Sequence, residues 1–241
     1  MKALLLAAGL GTRLRPFTER LPKCLMPVGE IPILGRWIDL LDQIGVDQIL
    51  INTHHLSAEV DEFVAQHRRG RSVTVTREET LLGTAGTVRQ NYDFFQGTGG
   101  FVIHADNFYS GGLEELARLH GKRPTFTVAT LMAHRVETPE KYGIFSVNNE
   151  SIMTRFWEKS TESIGNLANS AIYYFGREAL ADIASSNEII DLSTDYLPTL
   201  TGRALVYECR SPVIDIGTID GWRLANRRLE NQRKNDSVIL L

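Results

Sequence analysis

Six apolar residues, Ala3 to Ala8, run straight into Gly9-Leu10-Gly11. The loop that follows sets Arg13, Arg15, Arg20 and Lys23 within eleven residues, against one acid, Glu19. A short continuous apolar run is the pattern of a strand buried on both faces of a parallel sheet. Two glycines one residue apart free the backbone to turn successive N–H groups toward an anion. Ligands of open α/β sheets bind beyond the carboxyl ends of the strands, which is where this turn stands. The loop is stiffened by Pro16 and Pro22 and is expected to face solvent. Its cations make a polyphosphate the natural guest, where a Gly-rich turn alone would be an ordinary solvated loop. Two commoner phosphate motifs are absent. A dinucleotide-binding turn needs glycine at position 14, which is Leu14, and no Gly-x4-Gly-Lys-Ser/Thr loop exists.

Downstream the pattern alternates. Ile33, Leu34, Trp37, Ile38, Leu41 and Ile44 fall at helical spacing, and Gly45 closes that helix. Strands are expected over 48–52, 73–76 and 101–104, with helices from an N-capping Ser57 to about 66 and over 84–95. Strand and helix in alternation over the first 106 residues predict an α/β fold. Its sheet is Rossmann-like, open, mixed but mostly parallel, with helices on both faces. From about residue 125 the rhythm changes. Residues 125–133, 143–147, 152–157 and 170–175 read as strands with little helix between them, which predicts an antiparallel edge. A helix from Arg177, another near Asp195, a strand over 204–208 and a helix from Thr218 to about Glu230 complete a single domain, 1–231. Residues 232–241 read as a polar tail, and its apolar end, Val238 to Leu241, suits docking on a partner.

Composition narrows the class. A chain of 241 residues with 43% hydrophobic and 23% charged residues can bury one large core without disulfides. A net charge of −3 is no footprint for nucleic acid. No apolar run reaches the ~18 residues of a membrane span. The opening apolar stretch is too short for a signal peptide, and two cysteines, Cys24 and Cys209, make no disulfide framework or zinc ribbon. A cytoplasmic protein with reduced thiols is expected. Its oligomeric state is left open, a homo-oligomer included.

The segment Gly9 to Val28 resembles, without a gap, the signature of sugar-1-phosphate nucleotidyltransferases, Gly-x-Gly-Thr-Arg-x-x-Pro-x-Thr…Pro-Lys-x-Leu-x-Pro-Val. The resemblance continues at Leu82-Gly-Thr-Ala-Gly86, His104-Ala-Asp-Asn107, Tyr142-Gly143, Glu158-Lys159, Asn169-Ser170 and Asp215-Ile-Gly-Thr218. These fall in the family's order and cover about nine-tenths of the chain. The resemblance implies the nucleotide-diphospho-sugar transferase fold, with a nucleotide-binding half, 1–110, and a sugar-phosphate half, 111–231. It implies an enzyme, an NDP-sugar pyrophosphorylase, that joins a nucleoside triphosphate to a sugar 1-phosphate and releases pyrophosphate. Leu6, Ala8, Gly9, Gly11, Thr12, Gly83 and Thr84 would hold the nucleotide, with Glu78 or Glu79 at its base. Asn107, Tyr142, Gly143, Glu158 and Asn169 would hold the sugar phosphate. Arg13, Lys23 and Lys159 would be the catalytic cations.

Asp106 and Asp215 each follow an apolar strand. Taken singly, either reads as a turn or helix cap. Beside the basic loop and in the family's order they imply a Mg2+ site, two hard oxygen ligands completed by phosphate and water. His54 and His55 lack a third ligand and read as loop residues. Tyr173, Tyr174 and Phe175 read as packing. Ser160 stands where many relatives have proline after Glu-Lys, which leaves the next loop less constrained.

A carboxylate is acceptor-only, so Glu78 or Glu79 suits the adjacent N1–H and N2–H donors of guanine. The Leu-Gly-Thr-Ala-Gly run also resembles guanylyltransferases for mannose or heptose 1-phosphate. A guanylyltransferase is therefore expected, with uridylyl or thymidylyl transfer as the alternative. A noncatalytic subunit of the same fold would have lost charges that all stand here. A glycosyltransferase would carry a second acid near Asp106, where the sequence reads Asp106-Asn107-Phe108.

Overall fold

The computed structural model describes residues 1–68, 70–162 and 165–239. In chain order its elements are β1 (Lys2–Leu6), β2 (Pro27–Val28), β3 (Ile31–Pro32), α1 (Ile33–Gln43), β4 (Gln48–Thr53), α2 (Ser57–Gln66), β5 (Val73–Arg77) and α3 (Thr84–Gln90). Then come β6 (Gly100–His104), β7 (Asn107–Tyr109), α4 (Glu114–Gly121), β8 (Ala129–Arg135), β9 (Gly143–Val147), β10 (Met153–Glu158) and β11 (Leu167–Phe175). The last are α5 (Arg177–Ser185), β12 (Ala204–Glu208), β13 (Val213–Asp215) and α6 (Ile219–Ile239).

The alternation of side chains along β1 explains its unbroken apolar run. Ala3 and Leu5 pack into one core cluster and Leu4 and Leu6 into a second, on opposite faces of the sheet. The first cluster takes Trp37, Ile38 and Leu41 from α1, Val60 from α2 and Leu116 from α4. The second takes Ala85 and Val88 from α3 and Leu180 and Ile183 from α5. Helices therefore cover both faces. Parallel pairing runs β5-β4-β1-β6, so the carboxyl ends of four strands share one edge.

Antiparallel pairing begins at β11. Its last residues pair with β6, both its ends pair with β8, and Ala168 meets Ile144 of β9. Between Asn169 and Tyr173 the register shifts, and Ala171 sits at φ +53°, the mark of a bulge. β9 and β10 form an antiparallel pair, and β12 runs parallel to β8. The short pair β7–β13 sets Asp215 opposite Asn107. This is the mixed sheet expected for the second half.

Boundaries differ where side chains intervene. The expected helix over 84–95 ends at Gln90, where the Asn91 amide donates to Thr87 O (2.9 Å), and a 3-10 turn covers Tyr92–Phe95. The strand expected from residue 125 starts at Ala129 because Thr127 closes a turn on Pro124. α4 was not expected: Leu116 and His120 are its only buried residues, too few for a visible period. α6 continues to Ile239, past the expected stop near Glu230, because its second half is polar and offers no apolar stripe to read. The docking expected of Val238 to Leu241 lies outside the described side chains. No described helix is long and apolar enough to cross a membrane.

Candidate active site

A cavity of about 210 Å3 opens beyond the carboxyl ends of the four parallel strands. Leu6, Ala8 and Gly9 follow from β1, Asn52 from β4, Glu78 from β5, and His104 and Asp106 from β6. Leu81, Gly83, Thr84 and Thr87 close the side formed by α3. Among the expected nucleotide residues, Leu6, Ala8, Gly9, Glu78, Gly83 and Thr84 thus meet at one hollow.

The floor is a hydrogen-bonded set around Glu78, which is only 4% exposed. Asn52 Nδ2 and Thr87 Oγ1 both donate to its Oε1, at 2.8 and 2.5 Å. Leu82 N approaches Oε2 at 3.3 Å, and Asn52 Oδ1 accepts from Ala7 N at 2.7 Å. Buried carboxylates persist only when so supplied with donors. Glu79 is exposed and does not line the cavity. The sequence expectation of a bidentate carboxylate is therefore narrowed to Glu78, whose Oε1 is already engaged twice. Asn52 and Thr87 escaped sequence reading. The one signal was an asparagine ending the run Ile49-Leu50-Ile51.

Gly9, Gly11, Thr12, Arg13 and Lys23 line a second hollow next door, with Leu81 and Gly217. Gly11 holds φ +62°, and its carbonyl accepts from Thr18 Oγ1 at 2.7 Å. Arg13, Arg15 and Arg20 are exposed, as expected of a solvent-facing loop, but Lys23 is 9% exposed. That is a correction to the sequence reading, and its cause lies far along the chain. Lys23 Nζ reaches Asp106 Oδ2 at 2.5 Å and Asp215 Oδ1 at 3.4 Å, while Arg13 stands 3.7 Å from the other oxygen of Asp215. Burial opposes charge on Lys23, but the two aspartates outweigh it and hold the ammonium above its ordinary pKa. Burial likewise opposes charge on Asp106, and Lys23 reverses the sign, holding the carboxyl below its usual range. A Cβ at Gly217 would stand 2.6 Å from Lys23 Nζ and 2.7 Å from Asp215 Oδ1, so a larger residue there would push these side-chain ends from their present places.

The expected sugar-phosphate residues lie on β7, β9, β10 and β11 and the turns beside them, and none of them lines either hollow. Tyr142 is half-buried, and burial together with the Asp215 carboxylate pushes its phenol up. Glu158 pairs in register with Gly143, where any side chain would strike Phe156 and the Glu158 carboxylate. Lys159 is 68% exposed and lies 3.4 Å from Glu158. Asn169 is tied into the β11 bulge: its amide donates to Tyr173 OH at 2.8 Å and accepts from Ala171 N at 2.9 Å. Asn107 is buried and donates to Ser170 O at 3.2 Å, so its amide braces β7 against β11. Ser160 accepts from Glu162 N at 3.1 Å, and residues 163 and 164 of that loop lie outside the described residues.

The helix expected near Asp195 is a short turn over Leu192–Tyr196, and the strap that leads into it from residue 186 was missed. Ile190 O accepts from Ala85 N and Gly86 N. Asp191 Oδ2 accepts from Thr84 Oγ1 at 2.9 Å, and its Oδ1 from Ser193 N at 2.7 Å. Gly83, at φ +77°, is glycine because a Cβ would stand 2.5 Å from Ile190 O. The glycine run thus serves the close approach of this strap. His54 bonds Glu78 O and His55 bonds Thr18 O, as loop residues should.

Asp106 and Asp215 offer hard oxygens that a single side-chain nitrogen already touches together, so the donor set suits Mg2+. Among the described residues no three His, Cys, Asp or Glu gather to hold a metal alone. Phosphate and water would complete the shell.

Residues 2–232 match the family model described as nucleotidyl transferase. The chain is similar to a UTP–glucose-1-phosphate uridylyltransferase of Synechocystis, 29% identical over 258 aligned positions, covering 99% of this chain and 66% of that protein. It is similar to a mannose-1-phosphate guanyltransferase of Yarrowia lipolytica, 32% identical over 212 positions, covering 86% and 57%. In fold it is similar to a solved UDP-glucose pyrophosphorylase complexed with UDP-glucose, with a TM-score of 0.82 at 19% identity, covering 96% of this chain and 99% of that one. The chain spans two thirds or less of the length of these curated relatives. It belongs to the nucleotidyl transferase family and has the nucleotide-diphospho-sugar transferase fold.

Proposed function

We propose that this chain joins a nucleoside triphosphate, GTP foremost, to a mannose- or heptose-type sugar 1-phosphate, giving an NDP-sugar and pyrophosphate. One observation carries the reading. Arg13 and Lys23 converge with Asp106 and Asp215 in a hollow that adjoins, through Gly9, Leu81 and Asp106, a cavity floored by the Glu78 carboxylate. That array suits a base at one end and a polyphosphate at the other. One domain over 1–231 would hold both substrates, with residues 1–110 around the nucleotide and 111–231 around the sugar phosphate.

No protein nucleophile is needed. A phosphate oxygen of the sugar 1-phosphate attacks the α-phosphorus in line, and pyrophosphate leaves opposite. The chain contributes position and fixed charge. Backbone groups from Gly9 to Thr12 and the Arg13 guanidinium hold the β- and γ-phosphates. Lys23 swings from Asp106 to the α-phosphate, which offsets repulsion of the incoming anion. Lys159, exposed and paired with Glu158, orients that anion. Glu158 and Tyr142 face the sugar. Asp106 and Asp215 would hold Mg2+, which when bound supplies charge neutralisation at the phosphate oxygens. A cytoplasmic setting fits the two buried free thiols, Cys24 and Cys209.

A second reading keeps the reaction and changes the base. Glu78 has one oxygen, Oε2, with capacity left, and a single acceptor serves the one N–H of uracil or thymine as well as one of guanine's two. Similarity to guanylyl relatives at 32% identity favours GTP. The test is a pyrophosphate-release screen of ATP, CTP, GTP, UTP and dTTP against a panel of sugar 1-phosphates. GTP with a mannose- or heptose-type phosphate should release pyrophosphate fastest. No release with any pair would overturn the reaction, and a UTP or dTTP preference would select the second reading.

A further inference from the structure

The carboxylate of a glutamate turns easily about its last bond, where the torsion is broad and two-fold. A carboxylate that reads a base needs that freedom removed, or the oxygen offered to the ligand changes from one encounter to the next. The backbone of Glu78 is fixed by its N–H on Thr53 O at 2.8 Å, which leaves the side chain to be held by its neighbours. Asn52 comes from β4 and Thr87 from α3. They are each 2% exposed, so bulk water is not at hand to replace either donor.

The chain decides how Asn52 is turned. Ala7 N can only donate, so Asn52 Oδ1 faces it at 2.7 Å, and the amide NH2 is thereby aimed at Glu78 Oε1, 2.8 Å away. The Thr87 hydroxyl has one hydrogen and two acceptors in reach, Glu78 Oε1 at 2.5 Å and Gly83 O at 3.1 Å. The nearer, charged oxygen takes it. Two donors from two different elements then fill the lone pairs of Oε1. Oε2 keeps one long contact, 3.3 Å from Leu82 N, and has capacity for a ligand. All three side chains line the same cavity. The geometry points to Asn52 and Thr87 as positioning residues that set base selectivity: they pin Oε1, so that Oε2 meets the nucleobase in one orientation. The inference rests on the reading of Glu78 as the group that meets the base.

Titration calorimetry of the full chain with GTP and with UTP gives a ratio of dissociation constants within each protein, whatever fraction of it is folded. Thr87→Val and Asn52→Ala each remove one donor to Oε1. Each should bring that ratio about tenfold closer to one, the worth of one hydrogen bond to a charged group. Thr87→Ser keeps the hydroxyl and should keep the wild-type ratio. A purely structural role would lower melting temperatures and leave every ratio where it was. Should a variant fail to fold, Thr87→Ala or Asn52→Leu carries the same comparison. Ratios that stay at the wild-type value in both donor deletions, while Glu78→Gln moves it, would overturn the inference and leave the reading of Glu78 standing. A shift in one deletion alone would remove the other residue from the role. A ratio that Glu78→Gln does not move either, or a wild type that binds neither nucleotide, would overturn that reading and the inference with it.

Discussion

Lys23 shows how far one residue's role depends on distant chain. Its place in a dense basic loop marks it as a phosphate ligand, yet its burial comes from Asp106 and Asp215, 83 and 192 residues away. Lys23→Ala should remove about 2–4 kcal/mol of transition-state stabilisation, the worth of one preorganised donor. It should also lower stability by about 1–3 kcal/mol, because two neighbouring carboxylates lose their counterion. Turnover and urea midpoint are the two readouts, and wild-type values for both would remove Lys23 from the mechanism. Glu78 and Glu79 separate in the same way. Both were legible as candidate base readers, but which one turns inward was not, since that depends on the strand's last register pair with β4. Glu79→Gln should leave the ratio of kcat/KM for GTP and UTP unchanged. Glu78→Gln can keep a carbonyl oxygen on Asn52 and Thr87, but it turns Oε2 into an NH2 group facing Leu82 N and the cavity, so it should both lower the melting temperature and shift that ratio toward UTP. A shift confined to the Glu79 variant would overturn this assignment.

At the scale of elements, the four parallel strands of the first half and the helices between them were legible because each is amphipathic or largely apolar, while the two- and three-residue strands β2, β3 and β7 are too short to show a period. The strap over 186–195 was not, because polar side chains hold it. Its contacts run from Asp191 and Ile190 into α3, and Arg89 Nη1 donates back to Ser186 O and Ile189 O, both at 2.8 Å. Local sequence shows neither partner. Asp191→Ala removes the cap of the turn over Leu192–Tyr196 and the acceptor for Thr84. The expected cost is about 1–2 kcal/mol of stability, as for other side-chain caps. Hydrogen exchange should quicken at Ala85 and Gly86, whose N–H groups donate to Ile190 O. Protection unchanged at those two amides would mean that the strap is held from elsewhere.

For the whole molecule, acid is the revealing perturbation. Three imidazoles titrate abnormally low because burial disfavours their charge: His104, His120 at about 3 and His134 at about 4. His120 packs α4 against β8, with Nδ1 at 3.1 Å from Thr130 Oγ1. His134 ties β8 to β11, with Nδ1 at 2.9 Å from Ser170 Oγ. Each folded pKa is depressed below the unfolded value of about 6.5, so the unfolded chain binds these protons first. The stability they contribute is complete above that value, and it is lost as pH falls from about 6.5 toward 4. His120 and His134 each account for on the order of 3 kcal/mol by pH 4, at about 1.4 kcal/mol per pKa unit. The carboxylates held low by partners, Glu208 beside Arg135 among them, act below about 4.5 and so define a separate, later fall. Urea midpoints measured from pH 8 to 4 should be level at first and then decline across the histidine window. His134→Gln, which carries no proton there, should flatten part of that decline while keeping a polar group near Ser170. A midpoint that holds steady to pH 5 in wild type, or an identical decline in the variant, would show that these imidazoles reach solvent.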